Sequence, residues 1–198
     1  AYDPVYRTSR SDSGETDTIA TQSGFGLVFL NPRPGGAFEQ PEARHYIHRL
    51  IASIRPGIQS VSERSFPNDR GFLEQYSSVY PPPTGPAVSF DQPLRIKLTD
   101  FTDKVTRWLC ETLEVHGIPY ELVPVGFKES ITDFHAFDTI DLAIHAEVFE
   151  RNLPVAFHQF LTNDFSPPMK MFGRMPELEA WITQYDETPF EDWLTLHQ

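Results

Sequence analysis

Proline interrupts this 198-residue chain eighteen times, roughly twice the usual share of about 5%. Each proline fixes φ, removes a backbone donor and is excluded from helix interiors. Long helices should therefore be few, and loops and extended connections plentiful. The 39% hydrophobic content, with 16 Phe, is sufficient for those elements to bury a core.

Residues 1–23, "AYDPVYRTSRSDSGETDTIATQS", are dominated by Ser, Thr, Asp and Arg without apolar periodicity, which predicts a polar N-terminal arm with no packed element. The remainder, 24–198, reads as one α+β domain. "GFGLVFLNP" is a buried strand stopped by Asn31-Pro32. From Pro41 the spacing turns helical: Ala43, Tyr46, Ile47, Leu50, Ile51 and Ile54 share a stripe, and Pro56-Gly57 end it. His45 and His48 lie on the polar side at i, i+3, where Arg44 and Arg49 oppose a bound cation. "IQSVSERSF" reads as a second strand. "YPPPTGP", residues 80–86, has the composition of a stiff polyproline connector and divides the chain into halves.

After the connector, Leu94, Ile96 and Leu98 alternate with Arg95 and Lys97, as a strand requires. Asp100 is the expected cap of a helix with Phe101, Val105, Trp108, Leu109 and Leu113 on its apolar stripe. Gly117 and Pro119 stop it. On that reading Cys110 occupies the opposite face beside Glu111 and Glu114, where carboxylates disfavour a thiolate, and His116 caps the helix or joins the core. "YELVPVGF" is a further strand. Pro176 opens a last helix bearing Leu178, Trp181, Ile182 and Tyr185 on one face, and Phe190, Trp193 and Leu194 form one more apolar turn.

Two strand-helix-strand units, then a hairpin and helices, imply a mixed or antiparallel sheet with helices packed on one face. The order is loosely ferredoxin-like, and residues 87–186 alternatively follow a thioredoxin-like order. No Cys or Ser stands at the start of the helix after Leu98, so redox chemistry of that type is not expected.

The hairpin carries the one candidate catalytic constellation. Residues 140–149 alternate, with Ile140, Leu142, Ile144, Ala146 and Val148 on one side. Helical spacing of Leu142, Ala146, Phe149 and Leu153 is the competing reading. A two-residue turn at Arg151-Asn152 would set Val148 against Val155 and His145 against His158, with Glu147 alongside. Pro154 places the returning strand at a sheet edge, and Arg-Asn is a poor turn pair because both positions would need positive φ. His145, Glu147 and His158 could then ligate Zn or Fe, with Asp133 or His135 as base, in a metal-dependent hydrolase or lyase. A solvated hairpin face with no metal accounts for the same residues and is preferred. The G-x-S-x-G elbow, the P-loop, H-E-x-x-H and G-x-G-x-x-G are all absent from the sequence.

A formal charge of -12 repels a phosphate backbone, so nucleic acid is not the expected ligand. The single cysteine, Cys110, excludes an internal disulfide and fits an intracellular, reducing setting: cytoplasm, virion or organelle interior. "GFGLVFL" is too short to span a bilayer, and the N-terminus lacks a signal-peptide core. These features favour a non-enzymatic protein-binding or assembly subunit that needs no cofactor. It would belong to a virion or organellar particle, form a homo-oligomer, or act as an acidic inhibitor of a basic partner. Tyr2 and Tyr6 in the arm and Phe190 and Trp193 in the tail are the expected partner contacts.

Overall fold

The structure, a computed structural model, describes residues 5–10, 16–21, 24–61, 81–100, 102–126, 128–129, 138–148, 158, 162 and 176–197. The arm departs from expectation at once. Strand β1, Val5–Arg10, pairs antiparallel with β2, Thr16–Thr21, in a two-stranded sheet of their own. Both strands are rich in Thr, Val, Tyr and Ile, which fit a pleated ribbon without any core periodicity. That is why apolar patterning missed them.

Strand β3, Gly24–Leu30, ends at Asn31-Pro32 as the sequence implies. Helix α1 spans Pro41–Ile54, the expected bounds, with Ala43, Tyr46, Ile47 and Leu50 buried at i, i+3, i+4, i+7 spacing. The next segment corrects the reading of "IQSVSERSF" as a strand. Arg55–Ser60 is a 3-10 helix, so Ile58 to Ser60 continue the helical path, and residues 62–66 lie outside the described set. Pro81–Phe90 adopt no regular element, yet Val88 and Phe90 pack against the core and Arg49 donates to the Pro86 carbonyl.

Strand β4, Leu94–Leu98, helix α2, Asp103–Val115, and strand β5, Tyr120–Pro124, make one crossover unit: β4 and β5 are parallel, and α2 is the connection that parallel pairing demands. The stop of α2 is built as its sequence requires. Gly117 takes φ +67, its N–H reaches the Glu114 carbonyl at 2.9 Å, and the Ile118 N–H reaches the Leu113 carbonyl at 2.9 Å. Those two bonds form the Schellman pattern. Its start differs from expectation: the N-cap is Thr102, not Asp100, and Thr99, Thr102 and Thr106 form a buried hydroxyl cluster there.

Strand β6, Leu142–Val148, is inserted between β3 and β4, giving the order β3-β6-β4-β5. It runs antiparallel to β3 and parallel to β4. The fold is therefore α+β with a mixed four-stranded sheet. Parallel pairing of β4 with both neighbours departs from a ferredoxin-like antiparallel sheet, and the hairpin required by the thioredoxin-like order is not found among the described residues. Helix α3, Pro176–Glu187, and a 3-10 helix, Phe190–His197, complete the described chain.

The registers explain the core. Val28 opposes Ile144, Leu30 opposes Leu142, and Ile96 neighbours Leu142 and Leu122, so these side chains share one face of the sheet. Helices α1 and α2 cover that face through Tyr46, Ile47, Leu50, Leu109, Cys110 and Leu113, and one cluster draws on both halves of the chain. Cys110 is only 2% exposed, within this core and not on the opposite face. The buried stripe of α2 is Thr106, Leu109, Cys110 and Leu113. Compared with the sequence reading it is rotated, so that Trp108 turns aside toward Gly57 of the 3-10 helix.

A polar clamp fixes one end of the sheet. Asp141, 3% exposed, accepts from Arg33 Nη2 at 2.8 Å and from the Arg95 N–H at 2.9 Å. Buried Asn31 donates through its side chain to the Ile140 carbonyl and through its backbone to the Asp141 carbonyl, both at 2.8 Å. The chain leaving β3, the chain entering β6 and strand β4 are thus locked by one carboxylate and one amide.

Candidate functional site

His145 and His158 belong to different settings. The cross-strand partner of His145 is Leu27 of β3, and its ring meets Phe29 edge-on at 6.0 Å. His158 is helical, with Nε2 3.1 Å from Asp186 Oδ1. The predicted His145-His158 strand pair is therefore corrected: β6 already has β3 and β4 as neighbours, and the residue expected to lie opposite in a strand is in a helix. Glu147 is paired with Phe25 on β3. Asp133, His135 and Tyr2 lie outside the described residues, and Tyr6 pairs with Ala20 in the arm ribbon. Among the described residues no group of three or more His, Cys, Asp or Glu side chains is placed to hold a metal ion. Near His45, the His48 imidazole is held below its usual range by partial burial, and further by Arg55 and His45, which disfavours its protonated form.

The second face of the sheet holds a buried ionisable group. Lys97 alternates away from Leu94 and Ile96, as predicted, but it is 6% exposed. Val123 is its partner on β5, and Phe29, Val123, Ile140 and Ala143 form a small apolar cluster on this side. Burial pushes the Lys97 ammonium down to about 8. A sequence signal for this was present in the apolar residues on both sides of β6, since Ala143 and Ile144 are both buried. Cys110, the other buried reactive group, is pushed up to about 11 by burial first and by Glu114 next, so its thiol is inert.

At the C-terminal end the expected partner contacts Phe190 and Trp193 belong to a chain of rings in edge-to-face contact. Trp181 meets Tyr185 at 6.0 Å, Tyr185 meets Trp193 at 5.1 Å, and Trp193 meets Phe190 at 5.2 Å. His158 lies against Tyr185 and Trp193 at 5.6 and 5.1 Å. Tyr185 is fully buried, and its phenol is pushed well above the usual range by that burial. The Trp193 indole N–H donates to the Thr188 carbonyl at 2.9 Å, which pins the 3-10 helix to the end of α3. Trp181 and Phe190 stay exposed, at 36% and 55%. Helical spacing revealed α3, but of its expected face Tyr185 is buried and Trp181 exposed; the link through Trp193 to the 3-10 helix depends on a turn at Thr188-Pro189 that periodicity does not encode.

No family model and no curated protein matches the chain. Solved structures do match its fold. Haemophilus influenzae OppA in complex with RPPGFSPFR aligns with a TM-score of 0.65 at 14% identity, over 89% of this chain and 39% of that one. The Escherichia coli murein tripeptide binding protein MppA aligns at 0.64 and 16% identity, over 89% of this chain and 40% of that one. The unliganded open form of MppA, described as periplasmic, gives 0.54 at 15% identity. The chain thus shares a fold with part of these proteins and spans about 40% of their length.

Proposed function

We propose that this chain is a non-enzymatic binding protein whose ligand is a peptide or a segment of a protein partner. The observation that carries the reading is the fold: 89% of the chain aligns with proteins described as binding peptides. Exposed Trp181 and Phe190 are consistent with it, because aromatic side chains contribute most of the binding energy at protein interfaces. The rings they contact edge-to-face, Tyr185 and Trp193, hold them in place, so little rotamer entropy is lost on docking. Because the chain spans about 40% of those proteins, the reading assigns it the role of one binding body and not their whole activity.

Titration of the untagged chain with a mixed-sequence peptide library, followed by mass spectrometry of the retained fraction, tests the proposal. Saturable retention of peptides, without turnover, is the expected result. Stoichiometric Zn or Fe in the purified protein, with hydrolysis of retained peptides, would replace it by the metal-dependent reading. The partner is a different chain in this proposal; a stable homo-oligomer in sedimentation would make the chain its own partner. No helix among the described residues is long and apolar enough to cross a membrane. The proposal places the protein in a reducing interior, on the ground of its single cysteine. Recovery of the native protein in an extracytoplasmic fraction would overturn that placement.

A further inference from the structure

From Pro176 to Gln198 the sequence contains six carboxylates, Glu177, Glu179, Asp186, Glu187, Glu191 and Asp192, and no Lys or Arg. The same segment supplies two of the three large apolar side chains exposed among the described residues, Trp181 and Phe190. They end a continuous series of rings whose middle members, Tyr185 and Trp193, are buried and half-buried. Asp186, Glu187, Glu191 and Asp192, next to these rings in sequence, are exposed.

Two physical terms select the same partner. The face of an aromatic ring attracts a cation, and the carboxylates set a negative local potential that steers cations in and repels anions. Anionic lipid, nucleic acid and a second copy of this chain at net charge -12 are all disfavoured by that sign. Guanidinium fits better than ammonium, because its flat, weakly hydrated plane stacks on a ring while its N–H groups reach carboxylates. We infer that residues 176–197 form a docking surface for an arginine-bearing peptide segment of a partner protein, with Trp181 and Phe190 receiving the guanidinium planes and Glu187, Glu191 and Asp192 their charge. The inference rests on the reading of the chain as a peptide-binding protein and adds to it the surface and the charge of the ligand.

The test uses the full chain and three synthetic peptides of equal length in one Leu/Pro frame, carrying two Arg, two Gln or two Glu. Isothermal titration is expected to give the Arg peptide an affinity about tenfold or more above the Gln peptide, with the Glu peptide weaker still and the preference shrinking at high salt. The exposed-site variants Phe190→Ala and Glu191→Gln/Asp192→Asn should each lower Arg-peptide affinity by about threefold or more, with unchanged circular dichroism. If all three peptides bind equally, the charge selection is overturned and the peptide-binding reading stands. Unaltered Arg-peptide binding by both variants overturns this surface. Failure of every peptide, in the wild-type chain, removes the peptide-binding reading itself.

Discussion

At Lys97 the sheet buries an ammonium group on a face that β4 alone marks only as polar. The alternation of Leu94, Ile96 and Leu98 reveals which way Lys97 points, and nothing in β4 reveals that the second face is covered too. Burial disfavours the charged form, so the folded-state value is about 8 whereas an unburied lysine titrates near 10.4. Below about pH 8 both states hold the proton and the folded state bears the desolvation cost. Between there and about pH 10 the unfolded chain binds more protons than the folded one, so stability rises with pH. The Cys110 thiol, raised to about 11 by burial, and the Tyr120 phenol, raised to about 12 chiefly by its hydrogen bond to Glu114, act in the opposite direction above about pH 9. We predict that the unfolding free energy increases by about 1 kcal/mol between pH 7.5 and 9 and declines beyond it. Chemical denaturation across that range measures it, and Lys97→Met should abolish the rise. A flat profile in the wild-type chain would mean that Lys97 is charged at no cost.

Among the elements, helices were the most legible, because capping and spacing are local. Pro41 and Ile54 bound α1 as the pattern said, and Gly117 ends α2 in the left-handed conformation that glycine alone reaches without strain. The orientation of α2 was less legible. The pattern placed both Trp108 and Leu109 on the buried stripe; the structure keeps Leu109 and Leu113 there, adds Thr106 and Cys110, and turns Trp108 toward Gly57. Leu109 is 2% exposed, so Leu109→Ala should destabilise the protein by about 2 to 5 kcal/mol. An unfolding midpoint unmoved by that change would show that the site is not packed. Gly117→Ala isolates backbone strain, since an added Cβ meets nothing within 4 Å at φ +67. Its expected cost is about 1 to 2 kcal/mol, with no change in the helical signal. The Asp141 clamp had no legible signal, because the partners of its carboxylate, Arg33 and Arg95, are 108 and 46 residues away in sequence.

For the whole molecule, the strands of the four-stranded sheet could be read and their order could not. The runs Gly24–Leu30 and Leu142–Val148 each mark themselves as strands, but their pairing closes a loop of more than a hundred residues and has no local mark. The same gap explains the misread hairpin. Local turn logic joined residues 142–148 to the chain that follows, whereas their partner came from far upstream. The arm poses the reverse case, a local pairing that apolar periodicity did not announce. Strands β1 and β2 form a sheet separate from the four-stranded one, and among the described residues all pairings of that larger sheet lie from Gly24 onward. Deleting residues 1–21 therefore removes no strand from the larger sheet, and the truncated chain should unfold at the same denaturant midpoint as the full chain. A two-stranded ribbon is at best marginally stable in water, and the polar composition of this one offers little apolar area for packing on its own domain. We propose that a partner's surface stabilises it, by strand addition to its backbone edge. We predict that the truncated chain stays folded but captures its partner from the native source much less efficiently than the full chain. Equal capture by both forms would remove the arm from the interface, and loss of folding on truncation would place it in the structural core.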